Sequence, residues 1–136
     1  MHLARLPDGA LELEGIDDLE GARNAMRPFI ALYVGGMGSR DKNFYNNLVQ
    51  RYGFEDAAKK VQDLYLEGRR DEAMAALPDE LIDLVSLNGP ADKVRDRLRI
   101  YREAGVGTLG ITPMAWTREE RVEQLRQIAK LAEEAA

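Results

Sequence analysis

The residues best placed to contact a ligand form the loop Thr112-Pro113-Met114-Ala115-Trp116, between a predicted strand and a predicted helix. In parallel α/β proteins, ligands lie beyond the carboxyl ends of strands and beside helix N-termini. Trp116 is the sole tryptophan and Met114 is soft and adaptable, so together they could form one apolar wall for a flat ring. Ordinary loop packing would explain the same residues, and both interpretations stay open.

A second candidate is the glycine-rich run Gly35-Gly36-Met37-Gly38, because glycines allow backbone N–H groups to approach an anion. Phosphate-binding loops follow a strand and open a helix. This run instead follows a predicted helix and lacks a downstream Lys-Ser/Thr pair. The pattern favours a simple chain reversal, with ligand contact through Gly35, Gly36 and Met37 as the alternative.

The amide and aromatic side chains of Asn43, Phe44, Tyr45 and Asn46, with Tyr52, resemble the lining of a pocket. Helical spacing instead favours packing of Phe44 and Tyr52 in the core. Neighbouring carboxylates elsewhere in the chain point in different directions on a helix and cannot share a proton. We therefore identify no catalytic residue from the sequence.

Composition excludes several classes of chemistry. The chain has no cysteine and a single histidine, His2, which rules out disulfides, thiolate nucleophiles, a Ser-His-Asp triad and histidine-cluster metal sites. Positively and negatively charged residues are interspersed along the chain, and the net charge is −5. Neither nucleic acid nor an anionic membrane is therefore an expected partner. No run approaches the roughly 20 apolar residues of a membrane span, and no signal sequence is evident. We expect a cytoplasmic protein that forms a single unit over residues 1–136, with no metal.

The predicted elements begin with a hairpin or extended arm over residues 1–16, because Pro7-Asp8-Gly9 suits a tight turn between two apolar stretches. Asp17 and Glu20 have the spacing of a capping box and open a first helix. Pro28 should kink or divide that helix.

Four more helices are predicted up to residue 87, which makes 17–87 a helical elaboration. Asp41 caps the second helix, which ends at Gly53, and the third helix ends at Gly68. The fourth helix covers residues 69–77, and Pro78 begins the fifth helix. Apolar residues at helical spacing mark three of them: Phe44, Leu48 and Tyr52 on the second; Phe54, Ala58, Val61, Leu64 and Tyr65 on the third; and Leu81, Ile82 and Val85 on the fifth.

Residues 88–136 show the helix, strand, loop and helix alternation of a parallel α/β protein. A helix over 91–104 ends at Gly105, the apolar run 106–112 predicts a buried strand, and Thr117 opens a final helix. A buried strand needs neighbours on both edges. The chain offers few. The N-terminal hairpin or a second copy could supply them, but we expect the missing strands to lie in polypeptide outside this chain.

Five segments carry a resemblance to known proteins: Arg27-Pro-Phe-Ile-Ala-Leu-Tyr-Val-Gly-Gly-Met-Gly38, Lys42-Asn-Phe-Tyr45, Arg51-Tyr-Gly53, Asp63-Leu-Tyr-Leu-Glu-Gly68 and Pro78-Asp-Glu-Leu81. In this order they resemble the C-terminal region of luciferase-like oxidoreductases, and most closely the deazaflavin-dependent bacterial branch. The resemblance covers about residues 17–135. It implies a mainly α fold with a small β component, the C-terminal portion of a (β/α)₈ TIM barrel with a helical insertion before the last strand. Residues 106–112 would be the eighth strand and 88–136 the closing unit of the barrel.

The resemblance implies hydride transfer between a reduced deazaflavin, coenzyme F-420, and an organic substrate, with FMN as the alternative cofactor. In the family the cofactor lies at the mouth of the barrel and is held mostly by earlier strands. We therefore expect Thr112, Pro113, Met114 and Trp116 to contribute to cofactor binding, and the chain to be an inactive fragment that binds the missing barrel part or another copy.

Two other interpretations stay open. The chain could be a stand-alone helical module for self-association or partner binding, derived from such an enzyme. It could also bind a small planar ligand in a homodimer that completes the pocket.

Overall fold

A computed structural model describes residues 3–5, 11–13 and 19–136. The elements are strands β1 (Leu3–Arg5) and β2 (Leu11–Leu13), helix α1 (Leu19–Ala31), a π-helical turn (Leu32–Gly36), and helices α2 (Phe44–Arg51), α3 (Glu55–Leu66), α4 (Arg70–Ala75), α5 (Asp79–Val85), α6 (Ala91–Glu103) and α7 (Arg118–Glu134). The chain is mainly helical, as predicted.

Both short strands lie within residues 1–16, for which the sequence predicts a hairpin or extended arm. They pair antiparallel, with Leu3 opposite Leu13 and Arg5 opposite Leu11. The predicted turn at Pro7-Asp8-Gly9 and the predicted cap Asp17 lie outside the described residues.

The chain divides into two compact units, Arg23–Ser86 and Met1–Ala22 with Leu87–Ala136. The prediction of one unit over residues 1–136, with boundaries at residues 16 and 87, stays a prediction. The two predicted ligand segments fall in different units.

Helix α3 supplies the centre of the Arg23–Ser86 core, and its predicted apolar stripe is confirmed. Ala58 and Val61 are fully buried and Leu64 is 9% exposed, because residues three apart share one face of the helix. Leu81 and Ile82 of α5 are also fully buried, whereas Val85, predicted for the same stripe, is exposed. The glycines at the ends of two predicted helices have left-handed backbone, with φ of 91° at Gly53 and 81° at Gly68.

Salt bridges join α1 to α5 in this unit. Arg23 contacts both Asp83 (2.7 Å) and Asp79 (3.3 Å), and Arg27 contacts Asp79 at 2.6 Å. Arg27 also donates to the carbonyl oxygens of residues 74 and 77, which precede α5. Helix α1 continues through Pro28 without dividing there, and the irregular geometry comes four residues later in the π-helical turn.

Helix α2 differs from its predicted pattern. Its N-cap is Asn43, whose side chain accepts from the backbone N–H of Asn46, and not Asp41. The predicted core aromatics lie outside the core, with Phe44 68% and Tyr52 47% exposed, while Asn46 and Val49 are buried. The buried face is set by the amides of Asn43 and Asn46, which donate to the carbonyl oxygen of Val34 in the π-helical turn and leave the ring of Phe44 outside the core.

In the second unit, α6 and α7 pack on one another through a small apolar core. Val94 and Leu98 of α6 are buried, and Ile128 and Leu131 of α7 pack against them. Among the described residues, no side chain of α7 Arg118–Glu134 is itself buried. Gly105 ends α6 with a φ of 87°.

Residues 106–112, predicted as a buried strand, form no strand within this structure. Val106 and Leu109 are 42% and 41% exposed. A strand forms only when a neighbouring backbone completes its hydrogen bonds. The sheet in the described part of the chain contains β1 and β2 alone, so this segment has no such neighbour there.

Candidate functional site

The loop predicted to contact a cofactor leads directly into α7, and a capping box sets where that helix starts. The backbone N–H of Glu120 donates to the Thr117 hydroxyl at 3.2 Å, and the Glu120 carboxylate accepts from the Thr117 backbone at 3.1 Å. The predicted start of the final helix at Thr117 is confirmed. The capping box satisfies two N–H groups that a helix N-terminus otherwise leaves unpaired.

Two side chains of α7 reach back and hold the loop. The Arg121 guanidinium donates to the carbonyl oxygens of Ala115 (2.8 Å) and Trp116 (2.9 Å). The Ala115 N–H donates to the Gln124 side-chain oxygen at 3.3 Å. This role was not predicted from the sequence, although an arginine and a glutamine one and two turns after an N-cap are well placed to reach the chain before it.

The predicted cofactor residues form one open surface. Trp116 is 91% exposed and Thr112 is exposed, while Pro113 and Met114 are half-buried. A binding pocket for a flat ring encloses most of the ligand surface. The loop therefore supplies at most one wall, and contact with a cofactor through these residues stays a prediction.

The glycine-rich run has a packing role in the structure. Gly35 and Gly36 lie in the π-helical turn against Tyr65 of α3. An added Cβ would lie 2.5 Å from a Tyr65 side-chain atom at either position. Only glycine allows this approach without displacement of the ring. Met37 is 48% exposed, and ligand contact by these three residues stays a prediction.

Two buried asparagines support this turn from α2. The Asn43 amide donates to the carbonyl oxygens of Tyr33 (3.1 Å) and Val34 (3.0 Å). The Asn46 amide donates to the carbonyl oxygens of Val34 (3.0 Å) and Ala58 (2.8 Å), and so joins the turn to α3. The predicted amide and aromatic cluster thus separates: its amides enter the core, where buried polar groups need partners, and its aromatic rings point outward.

The outward rings form an aromatic patch in the Arg23–Ser86 unit. Its members are hydrophobic or aromatic residues that are at least one-third exposed and lie on α1, in or just after the π-helical turn, or at the start of α2: Phe29, Leu32, Tyr33, Met37, Phe44 and Tyr45. The rings of Tyr33 and Tyr45 are 4.7 Å apart and those of Phe44 and Tyr45 are 5.4 Å apart, both edge to face. Of these residues, Phe44 was predicted from the sequence to lie in the core.

A shallow depression of about 270 Å³ lies along α3 and the start of α4. Its lining is charged with both signs: Asp56, Lys59, Lys60, Asp63, Leu64, Glu67 and Arg69. Arg69 donates to both carboxylate oxygens of Glu72, and this hydrogen bonding lowers the pKa of Glu72. Within the described residues no group of three histidine, cysteine or acidic side chains could hold a metal ion.

Comparison with known proteins decides the family. Residues 17–108 match the luciferase-like monooxygenase family, and this range spans most of the chain. The chain belongs to this family. The resemblance drawn from the five sequence segments is therefore confirmed.

One relative of this luciferase-like chain is the protein named "Putative coenzyme F420-dependent oxidoreductase" from Mycobacterium tuberculosis (strain ATCC 25618 / H37Rv). The two are 36% identical over 115 residues, which is 85% of this chain and 31% of the relative. The chain thus spans about a third of the length of the relative. No solved structure matches the chain. No helix in the described residues is long and apolar enough to cross a membrane.

Proposed function

We propose that this chain is part of a luciferase-like oxidoreductase that transfers hydride between a reduced deazaflavin and an organic substrate, with FMN as the alternative cofactor. We propose further that the chain by itself has no such activity. Family membership, and a relative whose name carries a deazaflavin-type coenzyme, support the first part. The chain covers about a third of that relative, which supports the proposal that the chain has no activity by itself.

The described residues of the Thr112–Trp116 loop do not by themselves fit a tricyclic cofactor. Trp116 is 91% exposed, and Arg121 of α7 binds the backbone of the loop before it. Hydride transfer requires the cofactor and substrate to be held in a fixed geometry. We therefore assign no catalytic step to any residue of this chain. Its proposed contribution is one wall, held in place by Arg121 and Gln124.

The segment 106–112 also supports the proposal that this chain is part of a larger enzyme. This apolar segment lies between two helices and is exposed, without strand pairing. We propose that it pairs as a strand with the remaining part of a barrel. The segment would then place Thr112 and Trp116 at the carboxyl end of a parallel strand, where barrel enzymes bind their ligands.

The first experiment is the intact mass of the product of the natural gene, against 15.3 kDa for this chain. A longer product should oxidise reduced deazaflavin in the presence of a substrate panel, while this chain alone should not. Turnover by this chain alone would contradict its proposed inactivity. A longer product that turns over neither deazaflavin nor FMN would contradict the redox function.

A variant of the longer product tests the loop. Trp116→Ala should raise the KM for the cofactor, because the largest part of the proposed wall is removed. Ile100→Ala, which truncates a 57% exposed side chain on α6, is the matched control and should leave the KM unchanged. An equal effect of both variants would contradict a cofactor contact at Trp116.

A self-associating module is the second candidate function. The aromatic patch favours it, because an isolated soluble chain with contiguous exposed rings tends to bury them against another surface. The hairpin does not add to this argument, since β1 and β2 pair with each other.

A further inference from the structure

We draw no further inference here: the strongest candidate, the exposed aromatic patch on α1, the π-helical turn and the start of α2, carries none, because nothing in the structure shows what covers it in a chain that spans 31% of its relative.

Discussion

The buried amides of Asn43 and Asn46 are the polar groups that hold the π-helical turn. They are 1% and 3% exposed and donate to carbonyl oxygens that the irregular turn presents to the core. A side-chain amide in the core stabilises the folded state only when its hydrogen bonds are made. The asparagines therefore specify the turn geometry, and through it the direction of the rings beside them.

We expect Asn46→Ala to lower the free energy of unfolding by roughly 2 kcal/mol, because it removes two buried hydrogen bonds and leaves a small cavity. Urea unfolding followed by far-UV circular dichroism would measure the loss. Asn47→Ala changes the same residue type one position along, at an exposed site, and should cost less than about 0.5 kcal/mol. Similar losses in the two variants would contradict a clamping role for Asn46.

Gly35 offers a second residue-scale test. We expect Gly35→Ala to destabilise the chain by roughly 1 to 3 kcal/mol, because the new methyl group would lie 2.5 Å from the Cβ of Tyr65. Gly107→Ala is the control, since an added Cβ there meets no atom within 4 Å. The thermal midpoints of the two variants make the comparison. A Gly35→Ala chain as stable as the control would mean that the glycine is not needed for packing.

At the scale of elements, α7 depends on its ends more than on its packing. No α7 side chain is buried in the described structure, and Val122 and Leu125 are 37% and 43% exposed. A helix with so little tertiary burial gains an unusual share of its stability from capping. The capping box at Thr117 is therefore important for α7 and for the loop that Arg121 holds against it.

Thr117→Ala should destabilise α7 by about 1 kcal/mol through loss of the N-cap. Hydrogen exchange should show the first turn of α7, and the loop over residues 112–116, opening more readily. Thr112→Ala is the control. It removes a hydroxyl group from an exposed residue that caps no helix, and it should leave hydrogen exchange in α7 unaltered. Unchanged exchange in Thr117→Ala would show that the box contributes little.

At the scale of the whole molecule, both units leave apolar surface exposed. The aromatic patch lies in one unit, and residues 106–112 with the uncovered side of α7 lie in the other. A chain that covers 31% of its relative has correspondingly few elements with which to cover these surfaces. The pattern agrees with the proposal that further polypeptide completes the luciferase-like fold.

We expect the backbone amides of residues 107–112 to exchange quickly in this chain and slowly in a longer natural product that contains it. Pairing as a strand would protect them by hydrogen bonding, while in this structure the segment has no strand partner among the described residues. Mass-spectrometric hydrogen exchange on the two proteins would measure this. The segment 53–57, which runs from the connection after α2 into the first turn of α3, is a reference that should exchange alike in both. Fast exchange of residues 107–112 in the longer product would contradict their assignment as a strand.

The sequence alone determined most of the local structure, because helix periodicity, capping boxes and terminal glycines act within a few residues. The α3 stripe, the Thr117 box and the turns at Gly53 and Gly68 were predictable for this reason. Family membership followed from five short segments. The tertiary structure alone decided which face of α2 is buried. Asn43 and Asn46 are buried because their amides donate to carbonyl groups of a turn about ten residues earlier, whereas Phe44 between them is exposed. It also decided that residues 106–112 form no strand here, because a strand depends on a neighbouring backbone that no local pattern can supply.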